Sequence, residues 1–425
     1  MNHTHWESDR EFAHRMDAAD ELRRFRDAFE IRDSNLIYMD GNSLGRLPKR
    51  TRDVLERVVE DEWGGDLIRG WGSGWYDAPQ RIGAKVAQIL GARPHEVIIS
   101  DSTSVNLFKL VVAALRARPD RRQIVSDELN FPTDLYIVQG AVDLLDGGHV
   151  LSLVSSRDGI ATDQQAVLDA IDETTALVAL SHPTFKSAYL YDVPAITERA
   201  HSTGALVLWD FSHAVGAVDL KLKEWDVDLA VGCTYKFLNG GPGSPAFLYV
   251  REDLHSELLS PIWGWWGHRA PFAFDLDYEP AADLTRFLAG SPPCLSLLAI
   301  EPAIELTLEA GIERIRKKSV GLTSYLIALA DVLLAPLGFE LGSPRDPARR
   351  GSHVSVRHAE GYRITRALIE EMDVIPDFRE PDNIRIGVAP LYTSYAEVWE
   401  TVDRIRRVVE AERYRAYSAV RQTIT

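Results

Sequence analysis

A lysine and an aspartate follow two neighbouring apolar runs in the stretch 206–243. Asp210 ends the first run, and Lys236 comes shortly after the second, between Tyr235 and Phe237. Flanking aromatic side chains can partly desolvate a lysine and make its amine a usable nucleophile. A carboxylate on the adjacent strand can hold a pyridinium ring protonated and therefore an electron sink. The pair predicts a pyridoxal phosphate site; the alternative is a helix-capping aspartate and a solvated lysine.

Two polar segments could hold the other parts of such a cofactor. Ser100–Ser104, SDSTS, follows an apolar run and opens a helical pattern, where free backbone N–H groups and hydroxyls can bind a phosphate. The alternative for this segment is an ordinary Ser/Thr helix cap. Asn130–Asp134, NFPTD, follows the next run, and its Phe131 can either stack on a flat heterocycle or pack in the core.

These segments are positioned by short apolar runs that alternate with amphipathic stretches from about Glu96 to Val250. The pattern is typical of an α/β domain with a mainly parallel sheet, where ligands bind outside the carboxyl ends of the strands. We predict helices over Val105–Leu115 and Ala195–His201. The predicted strands are Val97–Ile99, Ile124–Val125, Val150–Val154, Ala176–Leu180, Leu206–Trp209, Leu229–Val231 and Phe247–Val250.

The amino-acid composition of the chain changes after Pro261. A stretch rich in Trp, Gly and Pro reaches Pro293 and predicts a long ordered loop. From about Gly311 the pattern is α+β and indicates a second, smaller domain. The elements predicted after the loop are a helix near Leu297–Ala310, helices Ile312–Pro336 and Tyr362–Met372, a turn at Ser343–Gly351, strands His353–Arg357 and Ile384–Val388, and a last helix from near Ser394.

Length, composition and charge narrow the function classes. The 425 residues are 45% hydrophobic and 26% charged, as in a globular protein of two or three domains. The formal net charge of -16 repels phosphate backbones and anionic lipid, so we expect neither nucleic acid nor a membrane as partner. Cys233 and Cys294 lack disulfide-framework or metal-ligand spacing, so we expect no metal and a reducing, cytoplasmic compartment. We expect neither export nor membrane anchoring, because no leader-like or bilayer-length apolar run stands out.

Seven motifs taken together resemble the kynureninase family of pyridoxal-phosphate enzymes. They span roughly residues 36–399, most of the chain, and their joint specificity is far above that of any single short motif. The motifs are Tyr38–Pro48 (YMDGNSLGRLP), Asp66–Trp75 (DLIRGWGSGW), Asn130–Asp134 (NFPTD), Trp209–Gly216 (WDFSHAVG), Cys233–Gly243 (CTYKFLNGGPG), Gly264–His268 (GWWGH) and Pro390–Tyr392 (PLY).

The resemblance implies a fold and an activity. The fold is that of aspartate aminotransferase: a large α/β domain with a mainly parallel sheet covered by helices, and a smaller C-terminal α+β domain. We place an N-terminal helical arm that packs with the small domain at 1–60, the large cofactor-binding domain at 61–310 and the small domain at 311–425. The implied enzyme is a homodimeric hydrolase of tryptophan catabolism and NAD biosynthesis, with active sites at the subunit interface. It splits the Cβ–Cγ bond of the amino acid L-kynurenine, or of its 3-hydroxy form, to anthranilate or 3-hydroxyanthranilate and L-alanine.

The resemblance also implies roles for single residues at the cofactor. Lys236 would bind the cofactor covalently and move protons at Cα and C4′, and Asp210 would pair with the pyridine nitrogen. Tyr235, polarised by the phosphate, is a candidate general acid or base for the addition of water to the γ-carbonyl. The remaining implied contacts are His213 beside the ring, Phe131 stacked on it, Asp134 steadying the site, Ser102, Thr103 and Tyr235 at the phosphate, and Trp265 and Ser291 from the partner subunit.

For the substrate, the resemblance implies that Arg385 clamps the α-carboxylate. An arginine suits this task because its guanidinium binds a carboxylate through two parallel hydrogen bonds, which a lysine cannot do. The further substrate contacts that the resemblance implies are Asn42, Ser43, Trp71 and Gly290.

Substrate choice depends on a few positions. Bacterial members that prefer unsubstituted kynurenine carry Trp and Gly where animal members, which prefer the 3-hydroxy form, carry His and Ser. Trp71 and Gly290 stand there in this chain, which favours L-kynurenine, while Ser291 stands where the two groups carry Thr and Asn. Thr184 replaces the family's usual Asn, whose amide can donate to the phenolic oxygen of the cofactor, and Thr is shorter. A kynurenine analogue and a specialised anthranilate pathway therefore stay open.

Two other functions could use the same scaffold. A lyase of the cysteine desulfurase or selenocysteine lyase kind needs a mobile nucleophilic cysteine, and release of sulfide from cysteine would identify it. Neither Cys233, after a buried strand, nor Cys294, after two prolines, is in such a context. A non-enzymatic regulatory module is the third alternative, but Lys236 and Arg385 are both retained and the sequence carries no basic patch.

Overall fold

The computed structural model describes residues 6–420. The strands are β1 Ile37–Tyr38, β2 Val97–Ser100, β3 Gln123–Asp127, β4 Val150–Val154, β5 Thr175–Ser181, β6 Leu206–Asp210, β7 Leu229–Gly232, β8 Ala246–Val250, β9 Glu340–Leu341, β10 His353–Arg357, β11 Val374–Ile375, β12 Asp377–Arg379 and β13 Asn383–Gly387. The helices are α1 Arg10–Ala18, α2 Lys49–Arg57, α3 Ala78–Leu90, α4 Thr103–Ala117, α5 Pro132–Leu145, α6 Gln164–Ala170, α7 Val193–Thr203, α8 Cys294–Ala299, α9 Glu301–Ala310, α10 Ile312–Leu329, α11 Gly361–Glu371 and α12 Tyr395–Glu410.

The large sheet contains seven strands in the order β2-β8-β7-β6-β5-β3-β4. β8 is antiparallel to both neighbours, and the other pairs are parallel. Each of the seven predicted strands is present, so the α/β class with a mainly parallel sheet is confirmed. The central strands β5, β6 and β7 are buried along their whole length, because helices cover both faces of the sheet.

The core of the large domain lies on both faces of this sheet. Val207 and Trp209 of β6 pack into one hydrophobic cluster, together with residues of α3 and α7. Leu206 and Leu208 pack into another cluster with residues of α4 and α5, because successive side chains of a strand point to opposite faces. The same apolar run therefore holds two helical layers and ends with Asp210 at the edge where ligands bind.

The small C-terminal sheet is antiparallel, in the order β12-β13-β10-β9. One face packs with α10, α11 and α12 through Val354, Val356, Ile384 and Ile386. Residues that alternate with these face the opposite way: Ser355 donates to the carbonyl of Lys186 and Arg385 to that of Phe185. The two-residue period of the strands thus turns one face of this sheet towards the large domain.

The N-terminal segment joins the C-terminal part of the chain. Phe12 of α1 is buried in the same cluster as Val398 of α12. The Asp17 carboxylate accepts from the backbone N–H groups of Tyr395 and Ala396, at 2.7 and 3.0 Å, which places a negative charge at the start of α12. The predicted domain limits at 60/61 and 310/311 stay predictions.

The segment Ile312–Leu337, α10 and the turns after it, is long and apolar enough to cross a membrane by length and composition. Its Leu322, Leu326 and Leu329 are buried in the core of the small domain. Core helices of soluble proteins satisfy the same two criteria, and the packing of these leucines accounts for the apolar composition.

Two glycines within helices test the packing of the large domain. A Cβ on Gly83 of α3 would lie 2.4 Å from the carbonyl oxygen of Val97 in β2, whereas a Cβ on Gly140 of α5 meets nothing within 4 Å. We expect Gly83→Ala to lower the free energy of unfolding by about 1–3 kcal/mol through overpacking. The matched variant Gly140→Ala should raise it by about 0.5–1 kcal/mol. Denaturant unfolding measures both, and equal effects would contradict this close approach of α3 to β2.

Candidate active site

The amine of Lys236 faces a space at the carboxyl ends of β6 and β7. Its Nζ lies 3.2 Å from Nε2 of His213 and 6.0 Å from the ring centroids of both Phe131 and Tyr235. The residue is half-buried, and within the described part of the chain no carboxylate lies within ion-pair distance of Nζ. The amine is therefore surrounded by rings and not neutralised by an acid, unlike a solvated surface lysine.

Two carboxyl groups, those of Asp134 and Asp210, lie side by side in the same site. Asp134 lies in the first turn of α5, where burial and then the charge of Asp210 raise its pKa well above the ordinary value. Ser181 donates to Asp134 at 3.3 Å, and Asp210 accepts from the backbone N–H of Ser212 at 2.8 Å. Two buried carboxylates repel each other, so the pair requires a proton or a nearby cation. A protonated ring nitrogen supplies that cation.

Three buried histidines near the site are neutral. Burial, and then the charges of Lys236 and Arg385, lower the pKa of His213 well below its ordinary value. Burial and the same two cations act in the same direction on the pKa of His353, whose ring centroid is 5.8 Å from that of His213. Burial lowers the pKa of His182 to about 3, and its Nδ1 accepts from the backbone N–H of Tyr191 at 3.2 Å. A neutral His213 can lie beside Lys236 without charge repulsion.

The start of α4 is available for an anion. The Ser102 side chain caps this helix by accepting from the N–H of Val105 at 3.4 Å, and Thr103 is the first helical residue. Behind them the buried amine of Lys109 pairs with Asp101 and donates to the carbonyl of Phe287 at 2.6 Å. The helix terminus is thus held in place with unpaired N–H groups at its first turn, the arrangement that binds phosphate groups.

Tyr235 keeps its proton at neutral pH. The neighbouring Cys233 thiol and burial raise the pKa of its phenol. Its backbone carbonyl accepts from the N–H of Gly45 at 2.7 Å, and a Cβ at Gly45 would meet the carbonyl of Lys236 at 2.4 Å. The segment around Gly45 therefore lies directly against the lysine loop, and only a glycine allows this approach.

Arg385 reaches the site from the small domain and is almost fully buried. Its Nη1 donates to the carbonyl of Phe185 at 2.7 Å, and its Nη2 donates to Oγ of Ser43 at 2.9 Å and to the carboxylate of Asp377. The amide oxygen of Asn42, turned towards the guanidinium, accepts from Nε at 2.8 Å. Arg385, Asn42 and Ser43 are therefore brought together.

Thr184 is buried but its hydroxyl is already engaged. It lies 2.7 Å from Oγ of Ser187 and accepts from the backbone N–H of Tyr189 at 3.0 Å. The side chain therefore stabilises its own loop, and it offers no amide group to a ligand.

Four predicted site residues form a separate group. Trp71 and Ser291 line an apolar cavity of about 470 Å³, Gly290 and Ser291 line a smaller one next to Asp101, and Trp265 packs against Trp266. Within residues 6–420 none of the four makes a hydrogen bond or ring contact to the Lys236 group. One chain thus brings together Asn42, Ser43, Phe131, Asp134, Asp210, His213, Tyr235, Lys236 and Arg385. Ser102 and Thr103 at the start of α4 make no hydrogen bond or ring contact to this group among the described residues, and neither do Trp71, Trp265, Gly290 and Ser291.

Four further residues belong to this site and are not predicted from the sequence. Asp377 and Arg379 flank Arg385, and the carboxyl of Asp40 lies near them with a pKa raised to about 6, first by burial and then by Asp377. His353 is fully buried, which together with the charges of Arg385 and Lys236 lowers its pKa, and it lies against the backbone of Phe185 and Lys186. In the sequence, the pattern Asp-x-Arg before β13 is the one signal for two of these residues, Asp377 and Arg379. Such charges usually indicate an exposed edge strand and not a binding site.

The observed groups fit pyridoxal phosphate. The amine of Lys236, which contacts His213 and has no carboxylate partner among residues 6–420, matches its aldehyde. The Asp134–Asp210 carboxyl pair matches its ring nitrogen, and the start of α4 is the kind of helix terminus that binds a phosphate. Phe131 and His213 supply flat groups for the two sides of a planar ring.

Sequence comparison identifies similar proteins. The family model "Kynureninase C-terminal domain" matches residues 315–405. Kynureninase of Pseudomonas fluorescens is 41% identical over 416 residues, which cover 96% of this chain and 98% of that protein. Kynureninase of Burkholderia mallei strain SAVP1 is 41% identical over 412 residues, covering 96% and 97%.

Comparison with solved structures identifies the same fold in other enzymes. A cysteine desulfurase from Thermococcus onnurineus NA1 superposes with a TM-score of 0.77 and 18% identity, over 88% of this chain and 95% of that one. The cysteine desulfurase CsdA of Escherichia coli gives 0.78 and 16%, over 92% and 99%. A variant of the C-DES enzyme with glycine covalently linked to its PLP cofactor gives 0.75 and 16%, over 88% and 97%. At such identities the likeness concerns the fold alone.

The carboxyl pair should make the stability of the cofactor-free protein depend on pH. The pKa of Asp134 is raised in the folded state, so a proton bound there stabilises the fold at low pH, and this contribution is lost as pH rises through the folded pKa. We expect Asp134→Asn, which keeps a neutral side chain, to weaken the fall in melting temperature between pH 5 and 8. The exposed Asp169→Asn is the control. An unchanged pH dependence in Asp134→Asn would contradict the repulsion.

Proposed function

The chain belongs to the kynureninase family, and from that premise we propose that it hydrolyses the Cβ–Cγ bond of L-kynurenine, giving anthranilate and L-alanine, with pyridoxal phosphate held at Lys236. Identity of 41% over 96% of the chain supports the family's activity. The observation that carries the site assignment is the free Lys236 amine and the buried Asp134–Asp210 carboxyl pair in one space flanked by Phe131 and His213.

Pyridoxal phosphate supplies the electron sink that makes bonds at Cα and Cβ of an amino acid labile. In our proposal Asp210 holds the proton on the ring nitrogen, and Asp134 supports Asp210 from behind. Phe131 and His213 would pack against the ring, and His213 would do so as a neutral group. Ser102 and Thr103 at the start of α4 bind the phosphate.

The proton transfers fall to two neighbouring residues. Lys236 would hold the cofactor through its amine, and it is the residue that we assign to proton transfer at the substrate Cα. Tyr235 is protonated at neutral pH and is the group that we assign to proton donation during addition of water at the γ-carbonyl and cleavage. Arg385 binds the α-carboxylate, with Asn42 and Ser43 fixing the orientation of its guanidinium.

Two features bear on the choice of substrate. Trp71 and Gly290 match members that prefer unsubstituted kynurenine, so we assign L-kynurenine as the preferred substrate and 3-hydroxykynurenine as a second one. The hydroxyl of Thr184 is engaged within its own loop, so tuning of the phenolic oxygen of the cofactor must differ from that in relatives that carry Asn there. A kynurenine analogue in an anthranilate pathway is the second candidate that this replacement favours.

The cysteine desulfurase alternative is not favoured. The structural likeness to these enzymes concerns the fold at 16–18% identity, whereas kynureninases are 41% identical. Cys233 is buried, and burial raises the pKa of both cysteine thiols, which disfavours the thiolate that a desulfurase needs. Both thiols are free, which supports our proposal of a reducing, cytoplasmic location.

We further propose a homodimer in which Trp265 and Ser291 complete the site of the partner subunit. Their separation from Lys236 within one chain supports this arrangement. An exposed apolar surface also supports it, since monomers rarely expose such large patches. The surface comprises Trp63, Leu67, Ile68, Trp263, Phe272, Phe274, Leu276 and Leu295. Contacts between Tyr76 and Phe272, and between Trp71 and Trp266, join its two segments.

The activity can be tested directly with the purified holoenzyme. We expect L-kynurenine to give fluorescent anthranilate, and 3-hydroxykynurenine to react with a lower kcat/KM. Lys236→Ala should lose the absorbance band of the lysine-bound cofactor and lower turnover by at least about a thousandfold, because the amine has no substitute. Lys85→Ala, which removes a lysine paired with Glu301, is the control and should keep activity. Sulfide release from cysteine, or a yellow and active Lys236→Ala variant, would overturn the assignment.

The shared site can be tested by complementation between inactive subunits. Co-expression of Lys236→Ala with Trp265→Ala chains should restore about a quarter of wild-type activity, since about half of the dimers are hybrids with one intact site. Co-expression of Lys236→Ala with Asp210→Ala should restore none, because both changes fall in the same group. Equal outcomes for the two mixtures, or a monomer in solution, would contradict the proposal.

A further inference from the structure

The guanidinium of Arg385 already holds an anion in this structure. Asp377 lies directly opposite Arg385 in the pairing of β12 with β13, and its carboxylate accepts from Nη2. Nε, Nη1 and Nη2 also have partners in Asn42, Phe185 and Ser43. An α-carboxylate that binds through two parallel hydrogen bonds must therefore displace at least one of these acceptors.

Burial explains why an anion is there. The side chains of Arg385 and Asp377 are only 2% and 4% exposed. A buried guanidinium without a counter-charge is strongly destabilising, so in the absence of substrate the site needs the carboxylate of Asp377. A substrate carboxylate would provide the same charge at the same group.

Asp377 has a second cation at hand. Nη2 of Arg379, two residues further along β12, lies 3.0 Å from the same carboxylate oxygen, and the Arg379 side chain is 38% exposed. Asp377 can therefore leave Arg385 without becoming an unpaired buried charge. Asp40 lies close to Asp377 and to both arginines, Arg379 and Arg385. If a substrate carboxylate bound while Asp377 stayed in place, three acidic groups would share two arginines, and the acids would repel each other.

We propose that Asp377 is a positioning residue that stands in for the substrate's α-carboxylate on Arg385 in the unliganded site and yields its place when the amino acid binds, while Arg379 retains it. The proposal rests on the assignment of Arg385 as the carboxylate clamp. The affinity for the amino acid then depends on the difference between two binding free energies at the Arg385 guanidinium, that of the substrate carboxylate and that of the Asp377 carboxylate. It also selects for ligands with a free carboxylate, because a neutral ligand cannot replace the lost charge.

The test compares two ligands that differ only in this group, L-alanine and L-alaninamide. Their dissociation constants are measured from the change in cofactor absorbance of the holoenzyme. In Asp377→Asn we expect L-alanine to bind about tenfold more tightly, since a charge-assisted competitor is removed, and L-alaninamide to bind as in the wild type. A merely structural role for Asp377 predicts weaker binding of both ligands, which would overturn the proposal.

Arg379→Gln gives the opposite sign and, because Arg379 is partly exposed, is the variant with less risk to folding. Without its second partner, Asp377 should hold Arg385 more firmly and weaken L-alanine binding about three- to tenfold. In the Asp377→Asn background the same change should have no effect. Equal weakening in both backgrounds would mean that Arg379 acts by its charge alone and would overturn the proposal, as would unchanged binding in Arg379→Gln. The matched control is Arg357→Gln, which breaks the ion pair with Asp382 on the same sheet.

Arg385→Ala distinguishes a failure of the role proposed for Asp377 from a failure of the assignment of Arg385 as the carboxylate clamp. If Arg385 is the carboxylate clamp, this variant should lose the preference for L-alanine over L-alaninamide. If that preference persists, the clamp assignment fails and the role of Asp377 fails with it. If the preference is lost but Asp377→Asn binds L-alanine more weakly, only the role of Asp377 fails.

Discussion

The repulsion between two buried carboxyl groups governs the centre of this molecule. Asp134 in the first turn of α5 and Asp210 at the end of β6 lie together, and both side chains are buried. Because neither can leave its element, the pair is stable only with a proton or a cation between or beside the two groups. Lys236 lies near enough to lower the pKa of Asp134 but makes no ion pair with it, so the requirement for a cation persists. The pair can meet this requirement by keeping a proton on Asp134, and a protonated ring nitrogen beside Asp210 would meet it as well.

The small domain places Arg385 at the junction with the large domain through the two-residue period of its strands. Its strands put valine and isoleucine towards the helices and the alternate residues towards the large domain. Ser355 and Arg385 contact the segment that follows β5, so the two domains are joined through backbone carbonyls of Phe185 and Lys186. Burial of Arg385 at this junction is possible only because acids and carbonyls surround it. Arg385, which we propose as the carboxylate clamp, is thus part of the contact between the domains, and its geometry depends on both.

The sequence predicts the large sheet well because its strands are continuous apolar runs, and it places Lys236 and Asp210 because both directly follow such runs. It does not predict β1, β9, β11 or β12, which have two or three residues, too few to show a period. Asp377 and Arg379 are missed for the same reason: on a short strand a charged pair looks like a solvated edge. The engagement of Thr184 with its loop depends on Ser187 and Tyr189, and nothing in the local pattern specifies those contacts.

The likeness to cysteine desulfurases shows how little of the reaction is contained in the fold. Lysine, acid and helix terminus serve any amino acid bound to this cofactor, so they specify bond labilisation and not which bond breaks. The groups of this chain that bear on which bond breaks are of three kinds. They are thiols whose burial disfavours the thiolate, a protonated Tyr235 beside Lys236, and a tryptophan wall formed by Trp63, Trp71 and Trp75 around one apolar cavity. Among the described residues the wall makes no ring contact with Phe131, His213 or Tyr235. A thiolate nucleophile is therefore disfavoured, while an acid for a carbonyl oxygen and an aromatic surface for an aryl group are present. If the wall reaches the site from a second subunit, reaction specificity requires assembly, whereas cofactor binding needs only one chain.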